Sequence, residues 1–461
     1  MKIRFCGAAR TVTGSQHLLT INGKHILLDC GLYQGHRAEA REKNQNFHFS
    51  PQELHGVILS HAHIDHCGKL PVLARHGFDG FIFSTTPTVD LCNIMLRDSA
   101  HIQEKDSEWL RKKRHEEVEP LYRTEDVERV MENFVGMPYV KSFPVVEGLQ
   151  ATFRDAGHIL GSASVTLDVR ENGRSMRFSF SGDVGRRGMP LLKDPDLPDD
   201  LDALILESTY GNREHGDTEE IDDDLAEVVN AVYQRGGKII IPAFSVGRTQ
   251  VLVYYLHKLF DQNRIPDIPI YVDSPLAMNA TEVFRMHLGC YDRETERTFL
   301  DNHEDPFGFE KLIYIRDVEQ SKKLNGAPGP MIIISASGMA EAGRVLHHLK
   351  NGIEDPKNCV LLVGYMAEHT LGRRLADGET EVKIFGEIYQ RRCEVRRIDG
   401  LSAHAGRSEL LDFVKHNDLR KLKHVFLVHG EVEAAEALAD DIRKLGVANV
   451  HVPHEGEEFS V

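Results

Sequence analysis

The nine residues Ser60-His61-Ala62-His63-Ile64-Asp65-His66-Cys67-Gly68 carry three imidazoles and a carboxylate, directly after the apolar run Gly56-Val57-Ile58-Leu59. A strand ending in such a loop can aim His61 and His63 at one ion while Asp65 and His66, further round the turn, reach a second. Nitrogen and oxygen donors of this kind suit zinc, and two adjacent ions form a hydrolytic centre. A polar loop that is merely rich in histidine is the plainer alternative, but four ligand-type residues at alternating spacing rarely coincide by accident.

A two-ion centre needs more donors than one loop holds, and they are expected where strands end in tight turns. Ala156-Gly157-His158-Ile159-Leu160-Gly161 sets a histidine between glycines before a strand, Phe180-Ser181-Gly182-Asp183 ends a strand with a carboxylate, and Val428-His429-Gly430 ends another with a histidine. Taken singly, each is equally a structural hydrogen-bonding group.

The elements that must position these residues fall into two grammars. Up to about residue 208, short apolar or alternating runs (2–5, 17–21, 25–29, 57–60, 81–84, 150–153, 164–169, 176–181) bounded by Gly, Asn, Ser or Pro read as strands. Residues 98–133 carry both charge signs and read as solvated helices broken at Pro120. From 209 the chain alternates helix and strand: 221–235 helix, 238–242 strand, 249–260 helix, 270–272 strand, 331–335 strand, 340–349 helix, 360–363 strand. That alternation is the signature of a parallel α/β sheet. After 391, histidine-bearing loops return, with a strand at 425–428, a helix at 433–445 and a strand at 450–452.

A chain of 461 residues is too long for one ordinary core, and 41% hydrophobic with 27% charged residues is a globular composition without a membrane-length apolar run. No signal peptide is visible, and a cytoplasmic protein is expected. Seven cysteines form no CxxC pair, which argues against a disulfide framework or a cysteine-zinc module. A net charge of −16 counts against a protein that coats nucleic acid non-specifically, but not against a nuclease whose ions supply local positive charge.

The order HxHxDH, His, Asp, His resembles the metallo-β-lactamase superfamily over essentially the whole chain. By that resemblance one zinc is held by His61, His63, His158 and Asp183, the other by Asp65, His66, Asp183 and His429, with Asp183 bridging two Zn2+ ions; Asp65 counts among the catalytic residues too. Asp29, in Leu27-Leu28-Asp29-Cys30-Gly31, matches the aspartate that orients the histidine loop from behind it; a plain turn residue is its alternative.

The long interval between Asp183 and His429, filled by the α/β segment, resembles the β-CASP nucleases. Glu207 in Leu206-Glu207-Ser208-Thr209-Tyr210-Gly211 matches their motif A, His404 in Leu401-Ser402-Ala403-His404-Ala405 motif B, and His429 motif C, where histidine points to RNA rather than DNA. The resemblance implies an αββα metallo-β-lactamase sandwich (1–208 plus 391–461) with an inserted α/β cap of mainly parallel sheet (209–390). It implies a compact prokaryotic ribonuclease acting on single-stranded RNA, with an endonuclease favoured and a 5′-exonuclease as the alternative, no membrane partner and room for a homodimer. His404 is the expected general acid and Glu207 its partner; an interdomain hydrogen bond that anchors the cap is the plainer role for both. Ser245 and Arg248, at a strand-to-helix turn, Ser337 and Gly338 at a second, and Arg373 are expected to contact phosphate, although either turn could simply cap its helix. Two departures from the family pattern stand in Val363–Thr370: Met366 where glutamine is usual, and His369 where glycine is.

A zinc-dependent ribonuclease is therefore expected. A catalytically silent RNA-binding paralogue and a small-ester or phosphodiester hydrolase are the alternatives.

Overall fold

The computed structural model describes the chain apart from residues 36, 115–117, 217–219, 365 and 368, and apart from the side chains of 37, 38 and 114. Residues 115–117, within the expected helical stretch 98–133, thus lie outside the described residues. Two compact units divide the chain: Met1–Arg187, Asp194–Glu214 and His404–Val461 form one, Gly188–Lys193 and His215–Ala403 the other.

The first unit contains two seven-stranded sheets. One runs Glu458–Ser460, Lys2–Gly7, Gln16–Ile21, Lys24–Leu28, Leu54–Ile58, Phe81–Thr85, Phe134–Met137; the other runs Asn449–His451, His424–Val428, Ala203–Glu207, Arg174–Phe180, Ala163–Glu171, Leu149–Asp155, Phe143–Val146. Ile3, Phe5, Leu19, Ile26, Leu28 and Ile58 of the first share one buried cluster with Phe153, Val165, Phe178, Phe180, Ile205 and Phe426 of the second. The second sheet is apolar on its other face too. Residues 203–207 alternate, Ala203 and Ile205 into that cluster, Leu204 and Leu206 into another with Leu410, Phe413, Leu438 and Ile442 of helices Arg407–Lys415 and Val432–Lys444. A strand covered on both faces must read as a continuous apolar run, and Ala-Leu-Ile-Leu does. Helix Thr86–Arg114 packs on strands Phe81–Thr85 and Phe134–Met137 of the first sheet. The layers are therefore αββα, as the resemblance implied.

Strand direction decides where functional loops gather. Lys24–Leu28 and Leu54–Ile58 pair in parallel, and so do Arg174–Phe180, Ala203–Glu207 and His424–Val428. Parallel neighbours put their carboxyl ends side by side, so the loops beginning at Asp29, Leu59, Ser181, Ser208 and His429 open at shared sheet edges.

The second unit is built on a six-stranded sheet, Leu312–Tyr314, Ile270–Asp273, Met331–Ser335, Lys238–Pro242, Cys359–Leu362, Glu394–Arg397, in which every pairing is parallel. The last strand moves the far edge of the cap: residues 391–403, expected in the first domain, belong to the second unit because Glu394–Arg397 pairs with Cys359–Leu362. The near edge falls at 214 instead of 208. The helix expected at 340–349 spans Arg344–Gly352, since Ala340 and Gly343 both have positive φ (58° and 78°), which ends any helical continuation on their side. His369, the departure from glycine, has φ 68°, the left-handed region that glycine occupies freely and histidine at a cost of about 1 kcal/mol or more. Met366 is buried in the apolar cluster of this unit. Among the described residues no helix is long and apolar enough to cross a membrane.

Candidate metal centre

Every residue expected as a ligand lies in the first unit, at the carboxyl ends of its strands. His61, His63, His158 and Asp183 turn one ligand-type atom each into a common space within 4.8 Å of one another, and Asp65, His66 and His429 do the same. Asp183 stands between the two groups. Its Oδ2 is 3.4 Å from both His61 Nε2 and His158 Nε2, while its Oδ1 is 3.2 Å from His66 Nε2 and 3.6 Å from His429 Nδ1.

Hydrogen bonds behind the rings fix which nitrogen faces inward. Ser60 Oγ donates to Asp29 Oδ2 (2.9 Å), so its lone pair takes the Nδ1–H of His61 (3.0 Å) and Nε2 is turned inward. His66 Nδ1 donates to Asp29 Oδ2 at 2.6 Å. Asp29 itself is buried, has φ 57°, and also accepts from Ser60 N (2.8 Å) and Ser15 Oγ (3.3 Å). The strained backbone lets one carboxylate steer two histidines of the loop. Gly31, two residues on, is required by the same turn, because a Cβ there would fall inside the backbone carbonyl of Asp65. Thr209, which sequence reasoning passed over, performs the corresponding task for His429: its hydroxyl donates to the His429 carbonyl (3.0 Å) and lies 3.2 Å from Nδ1.

Burial, together with the neighbouring His66, lowers the pKa of His61; burial and His61 bring His63 down to about 3; burial and His404 hold His158 well below the usual range. These three imidazoles are neutral at neutral pH and offer lone pairs. Burial opposes ionisation of Asp183, yet His429, His66 and His61 hold its carboxyl well below the carboxylate range. Burial works against a charged His66 as well, but Asp183 and Asp29 raise it well above its ordinary value.

This arrangement fits divalent cations better than a hydrogen-bonded cluster. His63 Nδ1 lies 3.1 Å from two imidazole nitrogens at once, His61 Nε2 and His158 Nε2, and a single proton can satisfy only one such contact. His66 Nε2 and His429 Nε2 also meet at 3.1 Å. Among the described residues buried Asp183 Oδ1 has no well-aligned hydrogen-bond donor, its nearest polar neighbour being His66 Nε2 at 3.2 Å. A buried carboxylate oxygen without an aligned donor and converging ring nitrogens are costly alone, and one cation in each group would satisfy them together.

Beside the two groups sits a third. Glu207, fully buried at the end of its strand, accepts from Val184 N (2.8 Å), Thr209 N (3.3 Å) and His404 Nδ1 (3.1 Å). His404 is held by its chain neighbour, Ala405 N donating to Val184 O, and by ring contact with His158 at 4.5 Å between centroids. Its Nδ1 is 3.9 Å from Asp183 Oδ2, and its side chain is 22% exposed. Burial disfavours its charged form, but the Glu207, Asp183 and Asp65 carboxylates push its pKa up to about 9.

The residues expected to contact phosphate all lie in the second unit, at the carboxyl end of its sheet. The loops after Lys238–Pro242 and Met331–Ser335 are adjacent, because Pro242 pairs with Ser335 and Ala243 N donates to Ser335 O. Arg248 opens helix Arg248–Asp261. Ser245 is buried, its hydroxyl 3.1 Å from that of Ser274. Ser337 Oγ accepts from Glu341 N (3.1 Å), and Gly338 supports the ring of Phe244. Arg373 Nε is engaged by both oxygens of Asp377 at 2.9 Å. The side chains of Ser245, Ser337 and Arg373 thus have structural partners.

Comparison with known proteins gives three family matches in chain order: the metallo-beta-lactamase superfamily at residues 10–80, the Beta-Casp domain at 249–375, and a Zn-dependent metallo-hydrolase RNA specificity domain at 388–453. The chain is 37% identical over 438 residues to "Ribonuclease TTHA0252" of Thermus thermophilus, covering 95% of each. It is 30% identical to an "RNase J-like protein" of Methanocaldococcus jannaschii, with 98% of each covered, and 29% identical to the "Transcription termination factor FttA" of the same organism, with 98% of this chain and 70% of the relative covered. With these family matches in chain order and a relative 37% identical across 95% of each chain, the protein belongs to the metallo-β-lactamase superfamily, in the branch that carries a β-CASP domain.

Proposed function

We propose that the protein is a zinc-dependent ribonuclease that hydrolyses phosphodiester bonds of single-stranded RNA, leaving 5′-phosphate and 3′-hydroxyl ends. The observation that carries this reading is the pairing of buried Glu207 with partly exposed His404 beside a carboxylate that lies near both donor groups. It supplies a proton donor next to a site for cations, which a silent RNA-binding paralogue has no need to keep. The names of relatives, "Ribonuclease TTHA0252" and "RNase J-like protein", and the "RNA specificity" domain match support RNA as substrate.

In this reading His61, His63, His158 and Asp183 hold one zinc, and Asp65, His66, Asp183 and His429 the other. Zinc bound there would lower the pKa of water and neutralise charge growing on the phosphate. Asp65, whose side chain is 21% exposed, orients the attacking water. His404 gives the proton on Nε2 to the leaving 3′ oxygen while Glu207 holds Nδ1–H.

The test is cleavage of single-stranded RNA whose 5′ end is blocked. Internal fragments with 3′-hydroxyl ends are expected, lost with a chelator and restored by zinc. Fragments ending in 3′-phosphate, or activity indifferent to chelation, would refute the mechanism, and mononucleotides released only from 5′-monophosphate RNA would replace the endonuclease by an exonuclease. Asp29→Asn should bind zinc roughly 10- to 100-fold more weakly, measured by chelator competition, because the amide cannot accept from His66, Ser60 and Ser15 together. Unchanged zinc affinity would remove Asp29 from this role.

A further inference from the structure

In the cap, Phe244 is an exposed aromatic residue at the carboxyl end of the sheet, with 46% of its surface accessible. One face of its ring is occupied. A Cβ built on Gly338 would lie 2.7, 2.8 and 2.9 Å from three consecutive ring atoms, Cδ2, Cε2 and Cγ. An approach in the ring plane would make the middle atom much nearer than its two neighbours, so near-equal distances put the glycine backbone beneath the ring's face. The residue is also fixed from behind, since its carbonyl accepts from both Thr249 N (3.2 Å) and Thr249 Oγ1 (2.8 Å). The result is a nearly half-exposed ring with one face seated on the Gly338 backbone, carried on a main chain that Thr249 holds in place.

Its place in the sheet points to a ligand. From Lys238–Pro242 the chain crosses over Met331–Ser335 to Ile270–Asp273 and Leu312–Tyr314, returns to Met331–Ser335, and then passes to the other side, to Cys359–Leu362 and Glu394–Arg397. Strand order therefore reverses beside the first strand, and ligands of open parallel sheets bind outside the carboxyl ends at such a reversal. A chain of net charge −16 cannot depend on a diffuse basic surface to hold RNA, and stacking supplies affinity without adding positive charge.

We propose that Phe244 is a stacking platform for one nucleobase of the single-stranded RNA substrate, seated on Gly338. This rests on the ribonuclease reading above. A one-faced ring accepts any base, so it contributes affinity and places the strand without selecting sequence.

The test uses the full chain with cleavage slowed by His404→Ala, and short single-stranded RNA as probe. Phe244→Leu keeps an apolar side chain on Gly338 but removes the π face; it should raise Kd roughly ten-fold while Phe244→Tyr stays near the parent. In otherwise unsubstituted enzyme, Phe244→Leu should raise KM and leave kcat within about two-fold. An abasic nucleotide at one position should weaken parent binding by a similar factor and add nothing in Phe244→Leu. Trp109 is the single tryptophan of the chain, so Trp109→Phe with Phe244→Trp makes a lone reporter whose emission should be quenched by saturating RNA. Parental affinity and KM in a folded Phe244→Leu, or a reporter indifferent to bound RNA, would overturn the platform while leaving the ribonuclease reading intact. Failure of the parent itself to bind or cut RNA would overturn both.

Discussion

Asp183→Asn is expected to abolish RNA cleavage, with a loss of roughly 10^3-fold or more, about 4 kcal/mol of transition-state stabilisation, in a protein that still folds. The carboxylate spans both donor groups: Oδ2 is 3.4 Å from His61 and His158, and Oδ1 3.2 Å from His66. An amide fills the same volume but brings no negative charge, and its NH2 end would point a donor at one of the two cation positions. Folding should survive, because His61, His63 and His158 are neutral where they stand and do not need an anion for their burial. His66 would lose one of the two carboxylates that hold its pKa up, while its hydrogen bond to Asp29 remains. Zinc content by elemental analysis should fall below that of the parent protein, with far-ultraviolet circular dichroism unchanged. A variant that keeps its zinc and cuts within ten-fold of the parent would show that the two donor groups do not share this carboxylate in function.

How much of this was legible beforehand depended on how local each signal was. The histidine loop is dense enough to be read within nine residues, and the core strands Lys238–Pro242 and Met331–Ser335 were bounded correctly because their runs of three and four consecutive apolar residues suit a covered parallel sheet. Strands at sheet edges were not. Glu394-Val-Arg-Arg and Glu458-Phe-Ser are polar, and they become strands only because Cys359–Leu362 and Lys2–Gly7, remote in sequence, offer them unpaired backbone. The hairpin of Glu381–Ile384 and Glu387–Gln390 turns on Phe385-Gly386, both at positive φ (51° and 86°), without the Asn-Gly or Asp-Gly that usually announces such a turn. In the site the same division holds. The histidines and aspartates that the structure gathers are distinctive by type and spacing, whereas Ser60 and Thr209 act through lone pairs on hydroxyls that serine and threonine carry everywhere. The only cue was position: Ser60 directly precedes His61, and Thr209 lies two residues after Glu207. The phosphate expectations rested on loop composition, which says where a helix begins but not that Ser245 would meet Ser274 or Arg373 would meet Asp377.

The second large effect concerns the proton. His404→Ala should slow cleavage roughly 10^2- to 10^4-fold, the usual contribution of a positioned general acid, while zinc content stays at the parental level. The second clause matters, because Asp183, Glu207 and His404 could themselves hold a metal ion by spacing alone. Loss of zinc in His404→Ala would make His404 a ligand; retention leaves it the proton donor. The decisive substrate is RNA in which the scissile 3′ oxygen is replaced by sulfur. A thiolate departs near neutral pH without a proton, whereas an alkoxide does not, so the variant should recover most of its deficit on that substrate and the parent should gain little. Glu207→Gln should show a smaller loss, on the order of 10- to 100-fold, since the amide can still accept from His404 Nδ1 but no longer favours the imidazolium. Because Glu207 acts through His404, the double variant should cut no more slowly than His404→Ala alone. Losses that multiply, or a sulfur substrate that rescues nothing, would mean that the pair serves to hold the chain at Val184 and Thr209, where Glu207 accepts two backbone N–H groups, rather than to deliver a proton.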